Sequence, residues 1–252
     1  MIPMTPLFLQ YKDSFFLFTF RHLNRMRTLK SKHLANILAT ELTYLYNIAC
    51  IITYKEVQET EIEELKQWVL SLDSDFDLEQ MKIEFNDKMV SLNLRAFVPN
   101  NYTYTFKTIW DVIHFLAMLI DDMINCRQKL SYEFIVNHLR QMKAIYYNLF
   151  IKLDCALCRD HYLNVKGFII AHIERLEICL NRERFGEPIV MVDEINTQNV
   201  NKNVLMRYGV LYATMLFHNH INEYKWIQRN MKPPADLFKM SWNEYKQFLQ
   251  LV

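Results

Sequence analysis

The chain has 252 residues and a mass of 30.5 kDa, and its 51% hydrophobic and 23% charged content is that of a packed protein of one or two domains. With 29 Lys+Arg against 28 Asp+Glu the formal net charge is +1, which excludes the strongly basic footprint of a nucleic-acid groove or of a binder of anionic membranes. Glycine occurs only 3 times, at Gly167, Gly186 and Gly209, too widely spaced for a dinucleotide-binding turn or a P-loop and too seldom for a fold rich in hairpins; the expected fold is all-α, with long helices.

The opening stretch MIPMTPLFLQYKD loses its apolar character at Lys12 and Asp13, before a signal-peptide core could form, and Phe15 to Phe20 is too short to span a bilayer. Neither export nor a membrane span is expected. A first helix is expected over about 8–29. Behind Ser31, an N-cap candidate, Leu34, Ile37, Leu38, Leu42, Leu45 and Ile48 recur at three- and four-residue steps and predict an amphipathic helix over 31–54. Two further helices, over about 60–71 and 77–90, precede Val98-Pro99-Asn100-Asn101, where periodicity stops. That break divides the chain into expected domains 1–97 and 98–252. Helices then follow over about 106–126, 131–152, 155–181, 203–228 and 241–250, the last opened by a capping box of Ser241 and Glu244. The asparagine-rich stretch 196–203 is expected to be an inter-helix loop.

The cysteines number 5, an odd set that argues against a secreted disulfide framework. Cys50, Cys126 and Cys179 lie in mixed apolar helical sequence and are expected to be buried, inert thiols. Cys155-Ala-Leu-Cys158 is the only CxxC. With Asp154 as N-cap, the two thiols fall in the first turn of a helix, where free N–H groups and the macrodipole favour the thiolate that disulfide exchange requires. A zinc-stabilised interaction module is the alternative, with Cys155, Cys158, His161 and either His218 or His220 as ligands.

Two other helices carry groups suited to an aromatic cofactor. Lys107, Trp110, His114 and Ala117 read K-x2-W-x3-H-x2-A, with Trp110 and His114 one turn apart on one face. Along Phe217-His218-Asn219-His220-Ile221-Asn222, the residues His218, Asn222 and Trp226 form a stripe at four-residue steps. Polar side chains inside so apolar a helix need a partner.

W110-x3-H114-x2-A117, C155-x-x-C158 and H218-N219-x-I221-N222, in this order, resemble the Erv/ALR-type FAD-linked sulfhydryl oxidases, and over nearly its full length the chain is similar to the baculovirus members of that family. The resemblance implies a four-helix bundle that binds FAD, with Cys158 as the thiol next to the flavin and Cys155 as the interchange thiol open to substrate. It also implies that Trp110 and His114 line the cofactor, that His218, Asn219 and Asn222 hold its adenosine part, and that Lys107 and Trp242 contribute.

The chain departs from the family's pattern at Leu153-Asp154, where the family has Tyr-Pro, and at Lys225-Trp226, where it has Leu-Gly. Lys225, or else Arg229, is expected at the pyrophosphate, with Trp226 near the adenosine. No second CxxC is present to shuttle electrons, so substrate dithiols are expected to reach Cys155 directly. The expected activity is oxidation of protein dithiols, such as viral structural proteins, with molecular oxygen as acceptor and hydrogen peroxide as product. By resemblance residues 1–97 form a second, degenerate bundle, the protein is a homodimer, and it works in the host cytoplasm and nucleus and in the virion.

Overall fold

Helix follows helix wherever the apolar period is sustained. The computed structural model describes residues 2–54, 58–72, 77–95, 103–195 and 202–251. Its α-helices in chain order are α1 (Pro6–Arg27), α2 (Lys32–Tyr54), α3 (Glu59–Ser71), α4 (Leu78–Ser91), α5 (Phe106–Asn125), α6 (Tyr132–Tyr147), α7 (Ala156–Val165), α8 (Gly167–Arg184), α9 (Gly209–Ile227) and α10 (Trp242–Phe248). The all-α expectation holds, apart from two three-residue strands, β1 (Val190–Val192) and β2 (Val204–Met206), paired in parallel with Val190 opposite Val204. The helix expected from about 203 starts only at Gly209, because Val204–Met206 pair as β2 instead. Residues 98–101 and most of 196–203 lie outside the described residues.

Side-chain caps set several helix starts. Ser31 Oγ accepts from Leu34 N–H, Asp77 from Gln80 N–H, Ser131 from Phe134 N–H and Ser241 from Glu244 N–H. The far end of α8 is set by Gly186, whose φ of +96° lets Gly186 N–H reach Glu183 O and Glu187 N–H reach Arg182 O, the Schellman pattern. The expected helix over 155–181 is broken in two at Lys166-Gly167, with Lys166 N–H closing α7 on Tyr162 O.

Two compact units share the chain. The N-terminal unit is Gln10–Val112; the C-terminal unit is Ile113–Val252 together with Met1–Leu9. The division between the units falls inside α5, which runs unbroken from Phe106 to Asn125, and the expected 97/98 boundary lies outside the described residues.

In the N-terminal unit, Phe20 and Leu23 of α1, Leu42, Tyr46 and Cys50 of α2, Ile62, Leu65 and Val69 of α3, and Met81, Phe85 and Met89 of α4 form one core. Each such side chain contributes roughly 1.5–3 kcal/mol by leaving water. By length and composition alone α2 could cross a membrane, but most of that stretch is buried inside the unit, as in the core helix of a folded domain. His22 is buried here too, with Nδ1 on Phe18 O at 3.0 Å and Nε2 on Glu41 at 3.2 Å.

The C-terminal unit is held by buried polar links as well as apolar packing. Tyr146 donates to Ile113 O at 2.8 Å, and Asp121 of α5 accepts from Val210 N–H and Leu211 N–H at 3.2 and 2.8 Å, capping α9 from another helix. Burial pushes the Asp121 carboxyl up to about 7, while the two amide donors pull it back. Arg127 grips Glu183 through Nε at 3.0 Å and Nη2 at 3.1 Å.

Candidate active site

The CxxC opens α7, and the N-cap is Cys155 rather than the expected Asp154. Leu149, Lys152 and Leu153 are buried and hold the chain up to this point, so helical geometry begins one residue later than the acidic side chain would have set it. Cys155 Sγ accepts from Cys158 N–H at 3.2 Å, and Arg159 Nη1 fixes the preceding turn by donating to Leu153 O at 2.9 Å and Asp154 O at 3.2 Å. Cys155 is exposed and Cys158 half-buried, both as thiols.

This asymmetry splits their acidities. Hydrogen bonds from the Cys158 thiol and backbone hold Cys155 below the ordinary thiol range, whereas burial, and then the Cys155 thiolate itself, pushes Cys158 up to about 11. In the reduced pair, Cys155 is the more acidic thiol. Once Cys155 is in a mixed disulfide its charge is gone, and with it the part of the upward push on Cys158 that came from that charge.

His114 of α5 is fully enclosed, 2% exposed, and joins α9 through Thr214 Oγ1 at 2.9 Å and His218 Nδ1 at 3.1 Å. The two imidazoles stack with centroids 5.4 Å apart, and Tyr245 of α10 meets His114 edge-on at 5.5 Å. Burial pushes His114 down to about 3 and His218 to about 4, so both are neutral at physiological pH.

Next to the CxxC, His161 of α7 lies flat on Tyr224 of α9 at 3.4 Å and 14°, with His220 at 5.4 Å and Phe168 of α8 stacked on His220 at 5.2 Å. Three buried polar atoms here and further along α9, His161 Nε2, His220 Nε2 and Trp226 Nε1, have no hydrogen-bond partner among the described residues. Such atoms are costly in a finished core, and they fit a polar aromatic ligand such as FAD that completes their bonding.

The remaining expected cofactor residues divide. Asn222 and Trp226 are half-buried on α9, and Lys225 is exposed with its Nζ 5.5 Å from the Trp226 ring. Both amide atoms of Asn219 are engaged by one residue, Met240, whose N–H and C=O they meet at 2.9 Å each. Asn219 thus ties α9 to the segment that leads into Trp242 of α10. Trp242 packs edge-on to Tyr212 at 5.3 Å and walls a cleft of about 550 Å³ lined also by His172, Arg175 and Met206. Lys107 and Trp110 belong to the N-terminal unit's part of α5, where Lys107 Nζ donates to Gln10 Oε1 at 3.2 Å and Trp110 meets Phe106 at 6.3 Å.

Sequence reasoning missed Thr214 and Tyr245. Thr214 had a signal, one turn before His218 on the polar stripe; Tyr245 had none. Among the described residues no three His, Cys, Asp or Glu side chains converge as a metal site, so the zinc alternative has no support. Of the three cysteines expected to be buried, Cys50 and Cys179 are, while Cys126 is only half-buried at the end of α5.

A dithiol on a helix N-terminus, beside a stack of imidazoles and phenyl rings with unmet polar atoms, defines a helical protein built for thiol–disulfide chemistry next to an aromatic cofactor. The sequence profile described as Baculovirus P33 matches residues 5–251, and the chain belongs to that family. It is similar to the protein named FAD-linked sulfhydryl oxidase of Autographa californica nuclear polyhedrosis virus, with 49% identity over 258 residues and 100% of both chains covered. It is likewise similar to the 33 kDa early protein of Orgyia pseudotsugata multicapsid polyhedrosis virus, at 44% identity over 282 residues with 100% of both chains covered.

Proposed function

We propose that this protein is an FAD-linked sulfhydryl oxidase that converts protein dithiols to disulfides and reduces molecular oxygen to hydrogen peroxide. The observation that carries it is the unequal pair at the start of α7, with Cys155 exposed and capping the helix and Cys158 half-buried behind it. The full-length relative named as such an oxidase supports the same reading.

In the oxidised enzyme a substrate thiolate attacks Cys155 Sγ. The Cys155–Cys158 bond breaks and its electron pair leaves on Cys158 Sγ. The second substrate thiol, deprotonated, then attacks the substrate sulfur of the mixed disulfide and expels Cys155 as thiolate, the form that the helix N-terminus and the Cys158 N–H stabilise. Bound FAD supplies a two-electron acceptor for the reduced pair and a route to oxygen. Asn222, His218, Trp226 and the orphaned nitrogens of His161 and His220 would hold and orient it. Lys225 would supply the positive charge for its pyrophosphate, and Asn219 would act by holding the segment that leads into Trp242.

Purified protein should be yellow and contain one FAD per chain. It should also consume one oxygen per disulfide formed in a reduced model protein, with matching peroxide. Colourless protein carrying stoichiometric zinc overturns the proposal. The active form is a homodimer, checked by sedimentation of the flavin-loaded protein.

A further inference from the structure

The chain of hydrogen bonds linking Thr214, His114 and His218 has a direction. Thr214 Oγ1 has one hydrogen and donates it to Leu211 O at 2.8 Å, within α9. Toward His114 Nδ1, at 2.9 Å, it is therefore an acceptor, and Nδ1 of His114 carries the proton. A neutral imidazole protonated at Nδ1 presents a lone pair at Nε2. His218 Nδ1, 3.1 Å from that lone pair, must in turn be the donor. His218 is then also protonated at Nδ1, which leaves its Nε2 as an acceptor. The burial that keeps both rings neutral is what makes this order binding, since a protonated ring would donate from both nitrogens.

We infer that Thr214 is a positioning residue which, through His114, locks His218 in the Nδ1–H tautomer, so that His218 Nε2 selects a ligand group that donates a hydrogen bond and rejects one that only accepts. The chain begins at a fully buried hydroxyl, passes through a buried ring and ends at a half-buried one. Its polarity is set in the core and read at the site. Resting on the FAD reading above, the selected group is an N–H or O–H of the cofactor, not a carbonyl or phosphate oxygen.

Thr214→Val keeps the shape of the side chain and removes the acceptor, whereas Thr214→Ser keeps it. Nitrogen-15 chemical shifts of the imidazoles in the flavin-loaded protein should show both His114 and His218 protonated at Nδ1 in wild type and in Thr214→Ser. In Thr214→Val both rings should invert to Nε2–H, with the FAD dissociation constant raised about tenfold, the effect of one misdirected hydrogen bond. An Nε2-protonated ring in wild type overturns the inference, and so does a Thr214→Val protein with unchanged tautomers. Inverted tautomers with unchanged FAD affinity overturn the selection of a donor. Should Thr214→Val not fold, the wild-type shifts alone decide the direction of the chain. Protein that binds no flavin refutes the oxidase reading instead, while its tautomers still test the chain.

Discussion

His22 in the N-terminal unit and His220 in the C-terminal unit both sit on amphipathic helices, yet their nitrogens are treated in opposite ways. His22 uses Nδ1 on Phe18 O and Nε2 on Glu41, so its bonding closes within its own unit. His220 and its neighbour His161 each bury an Nε2 with no partner among the described residues, and they stand beside the dithiol. The closed bonding of His22 serves packing, whereas the open nitrogens of His161 and His220 suit a ligand that completes them. On this comparison we propose that the core built from α1 to α4 is structural and that the dithiol chemistry lies in the C-terminal unit.

The comparison breaks most easily at the cysteines. Cys155→Ser and Cys158→Ser should each reduce dithiol oxidation to background while FAD stays bound; activity surviving either change would place the redox centre elsewhere.

Acid is the next largest lever. His114 and His218 are held down to about 3 and about 4, so below the ordinary histidine range, near 6.5, the unfolded chain binds protons that the native protein refuses. Their contribution to stability is whole above that range. It is lost as pH falls toward 4, by up to about 1.4 kcal/mol per pH unit for each ring. Asp121, raised to about 7, works in the opposite sense over the same range, so the test is the difference between wild type and His218→Gln in urea midpoints at pH 7, 6 and 5, where losing His218 should remove one proton's worth of acid destabilisation.

Glu41→Ala tests the closed pair. It leaves His22 Nε2 without its acceptor and should cost about 1–3 kcal/mol in urea unfolding with flavin content unchanged. Flavin loss at unchanged stability would reverse the roles of the two units. Lys225→Ala should weaken FAD binding by ~0.5–1.5 kcal/mol on titration of the apoprotein. Smallest of all, Cys50→Ala should leave turnover per bound flavin unaltered, because Cys50 lies in the core of the structural unit.

Much of the fold was legible because helix periodicity and caps are local. Ser31 and Ser241 announce α2 and α10, and the CxxC announces its thiols without help from tertiary structure. The break between α7 and α8 was hidden because Tyr162, Ile169 and Ile173 stay in helical phase across it, so the apolar pattern continues where the backbone does not. Three-residue strands are too short to show a period of two. At the site, the stripe of His218, Asn222 and Trp226 was visible from spacing. The use of Asn219 was not, since its partner Met240 lies 21 residues on and is read through its backbone, which sequence does not encode. Thr214 faces His114 across 100 residues, a pairing fixed only once α5 and α9 pack.

One consequence concerns the sulfur that caps α7. A helix start whose N-cap is itself the redox atom couples two equilibria, because Cys155 accepts from Cys158 N–H best as a thiolate and less well in a disulfide. Whatever the cap adds to the reduced form is subtracted from the energy needed to reduce it. If the cap is weaker by about 1 kcal/mol in the disulfide, the reduction potential rises by about 20 mV. The first turn of α7 is thus a small spring that relaxes as electrons arrive, making the pair a slightly stronger oxidant of its substrates than the same two sulfurs would be on a loop.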